Sequence, residues 1–338
     1  MKSRPLQALA LATLSAVTAL TAATALTAIH MPAAAQTGSF PTRPVNIVTA
    51  FPAGSGPDAV LRLVSEKLSK LWGQPVLINN KPGGGGFIAI DASQRAPADG
   101  YTLVQFDSEH LAALPLLYKA RGYVPLNNFD PVAPLFRTPF FVAVPTDSKW
   151  QSMKDLIAAA KAEPNKVNFG SWGIGSPGHL GGEQLALLSG IEMTHVPFRE
   201  MSQLFSSVGS GELHWSFGSL PSSQGIYKAG KLRYIAVAAA KRLPQMPNVP
   251  TLAEAGGPAG FEVNSFVSLL APKGLAAPVK AKIHADVLKV LADPEVMAKF
   301  DAFAFEIITW TPEQIRQNAD AKGKVYAELV KRKNISLD

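Results

Sequence analysis

The chain has 338 residues, 47% of them apolar, enough for one large or two medium domains. It contains no cysteine, which excludes disulfides, thiolate metal sites, a thiol nucleophile and lipid attachment through cysteine. The formal charge is +7, but the basic residues are dispersed, with one short cluster at Lys331-Arg332-Lys333. No basic face interleaved with stacking aromatics points to nucleic acid, and the mild positive field suits a small anionic ligand.

Lys2 and Arg4 precede an apolar stretch from Leu6 to Ile29, and Pro32-Ala33-Ala34-Ala35-Gln36 offers small residues at a cleavage point. This reads as a secretory signal peptide over residues 1–35, cut near Ala35; the apolar run would also suit a membrane anchor, but its small-residue end favours cleavage. Val45 to Ala50 is an apolar run expected as a buried strand, and Ala59 to Leu68 has helical periodicity. Between them lies Phe51-Pro52-Ala53-Gly54-Ser55-Gly56-Pro57-Asp58. Its glycines permit close backbone approach, Pro57 suits a first helical turn, and the unpartnered amides at a helix start favour an anion such as a carboxylate. Strand 74–80, a helix from Phe87 after the glycine run Gly83–Gly86, and strand 101–106 follow, and Asp107-Ser108-Glu109-His110 opens another helix. This alternation predicts an α/β fold with a mostly parallel sheet, whose ligands sit outside the carboxyl ends of the strands.

The Pro-rich apolar segment 130–145 reads as a crossing into a second domain. Helix 152–163 and strand 166–169 lead to Gly170-Ser171-Trp172-Gly173-Ile174-Gly175-Ser176-Pro177-Gly178, then a helix from His179. This repeats the first turn's design, and two anion-seeking turns in two halves of a chain suggest the two walls of a cleft. Strands over 193–198, 213–217 and 232–238 follow. Residues 241–260 read as loop with one short helix, 263–270 as the strand that crosses back, and 278–303 and 312–331 as amphipathic helices closing the first domain. A domain crossed twice by the chain forms a two-stranded hinge suited to closure on a ligand.

The order of Gly54-Ser55-Gly56, Asn80-Lys81-Pro82-Gly83, Ala98-Asp99-Gly100-Tyr101-Thr102-Leu103, Gly175-Ser176-Pro177-Gly178-His179-Leu180, His195-Val196-Pro197-Phe198, Val249-Pro250-Thr251-Leu252-Ala253-Glu254-Ala255-Gly256 and Ala292-Asp293-Pro294-Glu295 resembles the Bug-type substrate-binding proteins of tripartite tricarboxylate transporters. The resemblance spans nearly the whole chain after the signal peptide. It implies a two-lobed periplasmic binding protein of type II-like architecture, each lobe a mixed sheet flanked by helices, with lobe 1 at 36–138 and 266–338 and lobe 2 at 139–265. It implies a monomer that hands a di- or tricarboxylate or aromatic carboxylate to a membrane permease, without cofactor. Carried over, one wall comprises Phe51, Gly54, Ser55, Asp58, Asp107 and Ser108, and the other Ser171, Trp172, Gly175, Ser176, His179 and Gly218. Pro57 and Ile174 stand where the family often has a hydroxyl residue and an Asn. Gly218-Ser219 replace an Asp that would partner a ligand ammonium, which argues against an amino-acid ligand. Trp172, Trp215 and Phe217 could face an aromatic ring, as in an aromatic dicarboxylate, or pack in the second lobe's core.

Two enzyme readings compete. Gly173 to Gly178 fits G-x-G-x-x-G, with Glu200 about 20 residues on, as in an NAD(P)-dependent oxidoreductase. Against it, half the chain precedes the motif, and Pro177 removes an amide that a pyrophosphate would want. A hydrolase lacks its G-x-S-x-G elbow around Ser55 or Ser176, and no P-loop is present. His179 and Glu183 lie four apart on one helix and could ligate a metal, but no third ligand is near in sequence.

Overall fold

A computed structural model describes residues 40–338 of the chain; the segment read as a signal peptide lies outside the described residues. Strand β1 (Val45–Thr49) feeds α1 (Gly56–Trp72), and β2 (Val76–Asn80) returns parallel to β1. A 3-10 turn at Gly84–Gly86 leads into α2 (Phe87–Ser93), and β3 (Thr102–Asp107) lies parallel on the other side of β1. Short helices α3 (Ser108–Ala112), α4 (Leu114–Leu117) and α5 (Pro125–Asn128) precede the long strand β4 (Phe129–Pro139).

One residue, Phe140, separates β4 from β5 (Phe141–Pro145), and the chain changes sheet there. The second sheet is built by α6 (Met153–Ala162), β6 (Asn168–Ser171), α7 (Pro177–Ser189), β7 (Thr194–Pro197), α8 (Met201–Gly209), β8 (Trp215–Gly218), α9 (Leu220–Lys228) and β9 (Leu232–Val237). The chain returns through β10 (Asn264–Pro272), then α10 (Ala277–Leu291), α11 (Pro294–Ala302), β11 (Glu306–Ile307) and α12 (Pro312–Lys333).

The two sheets run β11-β4-β10-β3-β1-β2 and β7-β6-β8-β5-β9. Both are mixed. The parallel β2-β1-β3 unit is extended by antiparallel β10, β4 and β11, so the expectation of a mostly parallel sheet holds only for the first three strands. The crossings are tied together: Phe140 N–H donates to Val263 O (3.3 Å), and Ala238 N–H donates to Phe140 O (2.8 Å). Each lobe has its own core, around Val104, Phe106, Phe129 and Leu270 in the first and Phe169, Trp215, Phe217 and Leu156 in the second.

Three expectations change. The helix expected over 278–303 breaks at Asp293-Pro294, because proline cannot donate to the preceding turn and the Asp293 carboxylate caps a new helix through Glu295 and Val296 N–H. The short helix expected within 241–260 is a series of turns. Helix α9 was hidden because Leu220-Pro221-Ser222-Ser223-Gln224-Gly225 is poor in helix formers; Pro221 in its first turn and buried Leu220 and Ser223 hold it.

Candidate functional site

The two glycine turns are built alike, atom for atom. In the first, Ser55 is the N-cap of α1, and its Oγ accepts from Asp58 N–H (3.4 Å). In the second, Ser176 caps α7 and accepts from His179 N–H (3.3 Å). The residue before each cap is a glycine in the left-handed region, Gly54 at φ +81° and Gly175 at φ +83°. Each of these glycines donates its N–H to the side chain four residues on: Gly54 to Asp58 Oδ2 (2.8 Å) and Gly175 to His179 Nδ1 (3.1 Å). Each cap N–H closes a turn, Ser55 to Pro52 O and Ser176 to Gly173 O, both at 3.2 Å. The pattern is Gly-Ser-x-x-(acceptor), a variant of the capping box that reaches back one residue further.

This wiring changes the expected role of several residues. The Asp58 carboxylate, 1% exposed, also takes Arg62 Nε (2.9 Å), Arg62 Nη2 (3.0 Å) and Asn80 Nδ2 (2.7 Å). Burial alone would raise its pKa, but the hydrogen bonds from Arg62, Asn80 and Gly54 outweigh burial and hold it below the ordinary carboxylate range. Asp58 is thus a turn anchor with its acceptor positions occupied, not a bare group on the wall. Asp107 caps α3 through Glu109 and His110 N–H and grips His110 Nδ1. Burial works against its ionisation, and the facing His110 charge reverses this to a lowered pKa. Ser108 is fully buried, its Oγ shared with Glu109 Oε2 (3.0 Å) and Ser265 Oγ (3.2 Å), so it stands behind the wall.

In the second turn Ser171 is also fully buried; its Oγ bonds His195 Nε2 (2.7 Å) and Gly173 O (3.0 Å). Because His179 Nδ1 accepts from Gly175, its proton sits on Nε2. Its ring lies 4.1 Å from that of His195, and burial pushes both imidazoles down to about 4, His195 helped by its neighbour. Both are neutral near pH 7, so neither offers a fixed positive charge. His195 is thus the brace of this turn. Trp172 is half-buried against Phe140 (5.3 Å), whereas Trp215 and Phe217 lie wholly inside the core, which removes two of three candidate ring-facing aromatics. Gly218 ends β8, and a Cβ there would lie 2.7 Å from the Phe205 ring, so it contributes backbone only. Phe51 is half-buried, edge-on to His110. Glu183 pairs with Lys333, and among the described residues no group of three metal-ligating side chains is present.

Backbone donors remain at the helix starts. Among the described residues, the N–H groups of Gly56 and Gly178 have no partner. Both turns face the opposite lobe. A Cβ on Gly56 would lie 3.0 Å from Pro221 of α9 in lobe 2 and 3.1 Å from Phe305; a Cβ on Gly175 would collide with Leu117 of α4 in lobe 1. Pro221, Phe305 and Leu117 are the site neighbours the sequence did not reveal, since each is far in sequence from the turn it touches.

Two mixed sheets joined by paired crossings, each with a capped glycine turn packed against the other lobe, define a two-lobed α/β solute-binding protein. The chain matches the tripartite tricarboxylate transporter family receptor over residues 60–335. It belongs to that family, as a Bug-type receptor. It is 33% identical to a UPF0065 protein in the tcbD-tcbE intergenic region of Pseudomonas sp. (strain P51), over 88% of each chain. It is 30% identical to BugT of Bordetella pertussis, over 85% of this chain and 88% of that protein. Among solved structures it resembles R. palustris Rpa4515 with adipate (TM-score 0.80, 31% identity, 88% of this chain and 99% of that one). It also resembles BugD (0.76, 28%, 88% and 99%) and MatC from Rhodopseudomonas palustris with bound malate (0.76, 26%, 86% and 100%).

Proposed function

We propose that the protein is a periplasmic receptor that binds a small dicarboxylate at the lobe seam and delivers it to a tripartite tricarboxylate-type permease, without itself transforming it. The observation that supports this reading is the pair of matched helix starts, one in each lobe, each with an unpartnered amide and each packed against a residue of the opposite lobe. A carboxylate fits such ends because its charge complements the helix dipole and its oxygens accept from free amides. The similar proteins crystallised with adipate and with malate support the ligand class. A charge-assisted hydrogen bond nets about 1.5–3 kcal/mol and each helix end about 0.3–2 kcal/mol, so donors from both lobes are needed to reach micromolar binding, about −8 kcal/mol.

Family membership favours a receptor over an NAD(P)-dependent oxidoreductase. Gly173–Gly178 then serves as a carboxylate turn, with Ser176 and His179 holding its shape. An aromatic carboxylate is the second reading, favoured by half-buried Phe51 and Trp172 beside the turns. A calorimetric screen of the protein lacking residues 1–35 separates these outcomes. Adipate or malate at micromolar Kd supports the first, phthalate tighter than both supports the second, and NAD(P)H binding with no carboxylate binding rejects both.

A further inference from the structure

We infer that Lys333 and Glu183 are positioning residues that hold the second turn in its closed place without touching ligand. This rests on the receptor reading above. Helix α7 begins with the turn residues Ser176 to His179, and the next residue, Leu180, is fully buried among Ala112, Ala113, Leu117, Tyr326, Leu329 and Val330, all of lobe 1. One helical turn further, Glu183 Oε2 lies 2.9 Å from Lys333 Nζ at the end of α12, with the side chains 14% and 29% exposed. Among the described residues this is the only ion pair joining the lobes.

The segment after α12 extends the grip. Leu337 N–H donates to Leu117 O (2.9 Å), and Asp338 accepts from Ala120 N–H (3.0 Å). Leu117 is the residue that abuts Gly175. Residues 333–338 therefore bear on the second turn from two sides: Lys333 on the helix that carries it, Leu337 on the residue that faces it. A helix is stiff over one or two turns, so an ion pair at Glu183 fixes the direction of the amide at Gly178, five residues earlier. Opening the lobes requires the Glu183–Lys333 pair to separate and Leu180 to leave its apolar neighbours. Ligand escape then depends on this clasp, whereas capture draws on the fraction of ligand-free protein that is already open, so the effect falls mainly on dissociation.

The test uses Glu183→Gln, Lys333→Gln, the double variant and the charge swap Glu183→Lys with Lys333→Glu, with adipate as probe and tryptophan fluorescence in stopped flow as readout. Each single variant is expected to release adipate about 3–10-fold faster with association changed less than about twofold. The double variant is expected to match the worse single, and the swap to recover wild-type release within about threefold. A second readout needs no ligand. The chain lacks cysteine, so nitroxides at Leu77→Cys and Lys228→Cys, one exposed site on each lobe, report the interlobe distance by pulsed electron resonance. Singles are expected to broaden the distribution toward longer distances, and the swap to restore it. Unchanged release and distances in the singles, or a swap that fails to restore either, overturns the clasp. If wild type ignores adipate and every other carboxylate, the receptor reading fails, and the distance measurement still decides the clasp.

Discussion

At the scale of single residues, the two turns depend on side chains that never need to meet a ligand. Asp58 joins Gly54, Arg62 and Asn80 through one buried carboxylate. Asp58→Asn keeps the shape but removes the charge and turns an acceptor into a donor; it is expected to lower unfolding free energy by about 1.5–3 kcal/mol in denaturant titration. His179 offers a pH test. Its folded pKa, about 4, lies below the unfolded value near 6.5, so the unfolded chain binds the proton first. Stability from this group is complete above about pH 6.5 and is lost as pH falls toward 4, at about 1.4 kcal/mol per pH unit. His110 runs the other way: burial opposes its charge, but Asp107 raises its pKa, so its contribution is lost as pH rises through the folded pKa. The comparison is therefore between wild type and His179→Asn, whose amide oxygen can still accept from Gly175. Melting curves from pH 7 to pH 4 should be flatter in the variant.

At the scale of elements, the caps decide where helices start, and the starts decide where donors point. Helix α12 begins with a capping box in which Thr311 Oγ1 accepts from Gln314 N–H (3.2 Å) and Gln314 Oε1 accepts from Thr311 N–H (2.9 Å). The other end of α12 supplies Lys333 to the seam. Thr311→Ala is expected to cost about 1 kcal/mol, read as a drop in Tm of a few degrees, with adipate release unchanged because the loss lies at the far end. The contrast with Lys333→Gln separates a stability effect from a positional one on the same helix. Helix α9 makes the complementary point. Its Pro221 occupies a first turn, where a missing N–H does no harm, and presents a rigid ring to Gly56.

At the scale of the molecule, the lobes meet at glycines because only glycine leaves room. Gly56 has 3.0 Å to Pro221 and 3.1 Å to Phe305 measured from the Cβ it lacks. Its backbone is not in the left-handed region, so Gly56→Ala carries no local strain and slightly favours α1. The added methyl acts on the seam instead. The variant is expected to lose little melting temperature, since the Phe305 ring of the same lobe need shift only slightly, while its adipate Kd weakens about tenfold or more by calorimetry, because closure must now displace Pro221. Equal affinity would mean that the seam at Gly56 is not where closure grips the ligand.

Much of this was legible in local order. The glycine-rich turns, their serine caps and the following helices follow from residues within a span of ten, because capping and left-handed glycines are short-range effects. The repeated Gly-Ser-x-x-Asp and Gly-Ser-x-x-His spacing also holds the reach-back bond from each glycine amide, although in sequence Asp58 and His179 resemble wall groups. Their partners explain the difference: Arg62 is one turn away, but Asn80 and, for the second turn, His195 arrive through sheet pairing, β2 beside β1 and β7 beside β6. Sequence alone thus determined the family, the two-lobe order and the position of both turns. Only the tertiary structure decided which amides stay free, that Ser108, Trp215 and Phe217 face inward, and that Pro221, Phe305, Leu117 and Lys333 complete the seam. Those contacts join residues more than fifty positions apart, and no pattern of neighbouring side chains specifies which distant surface a packed lobe will meet.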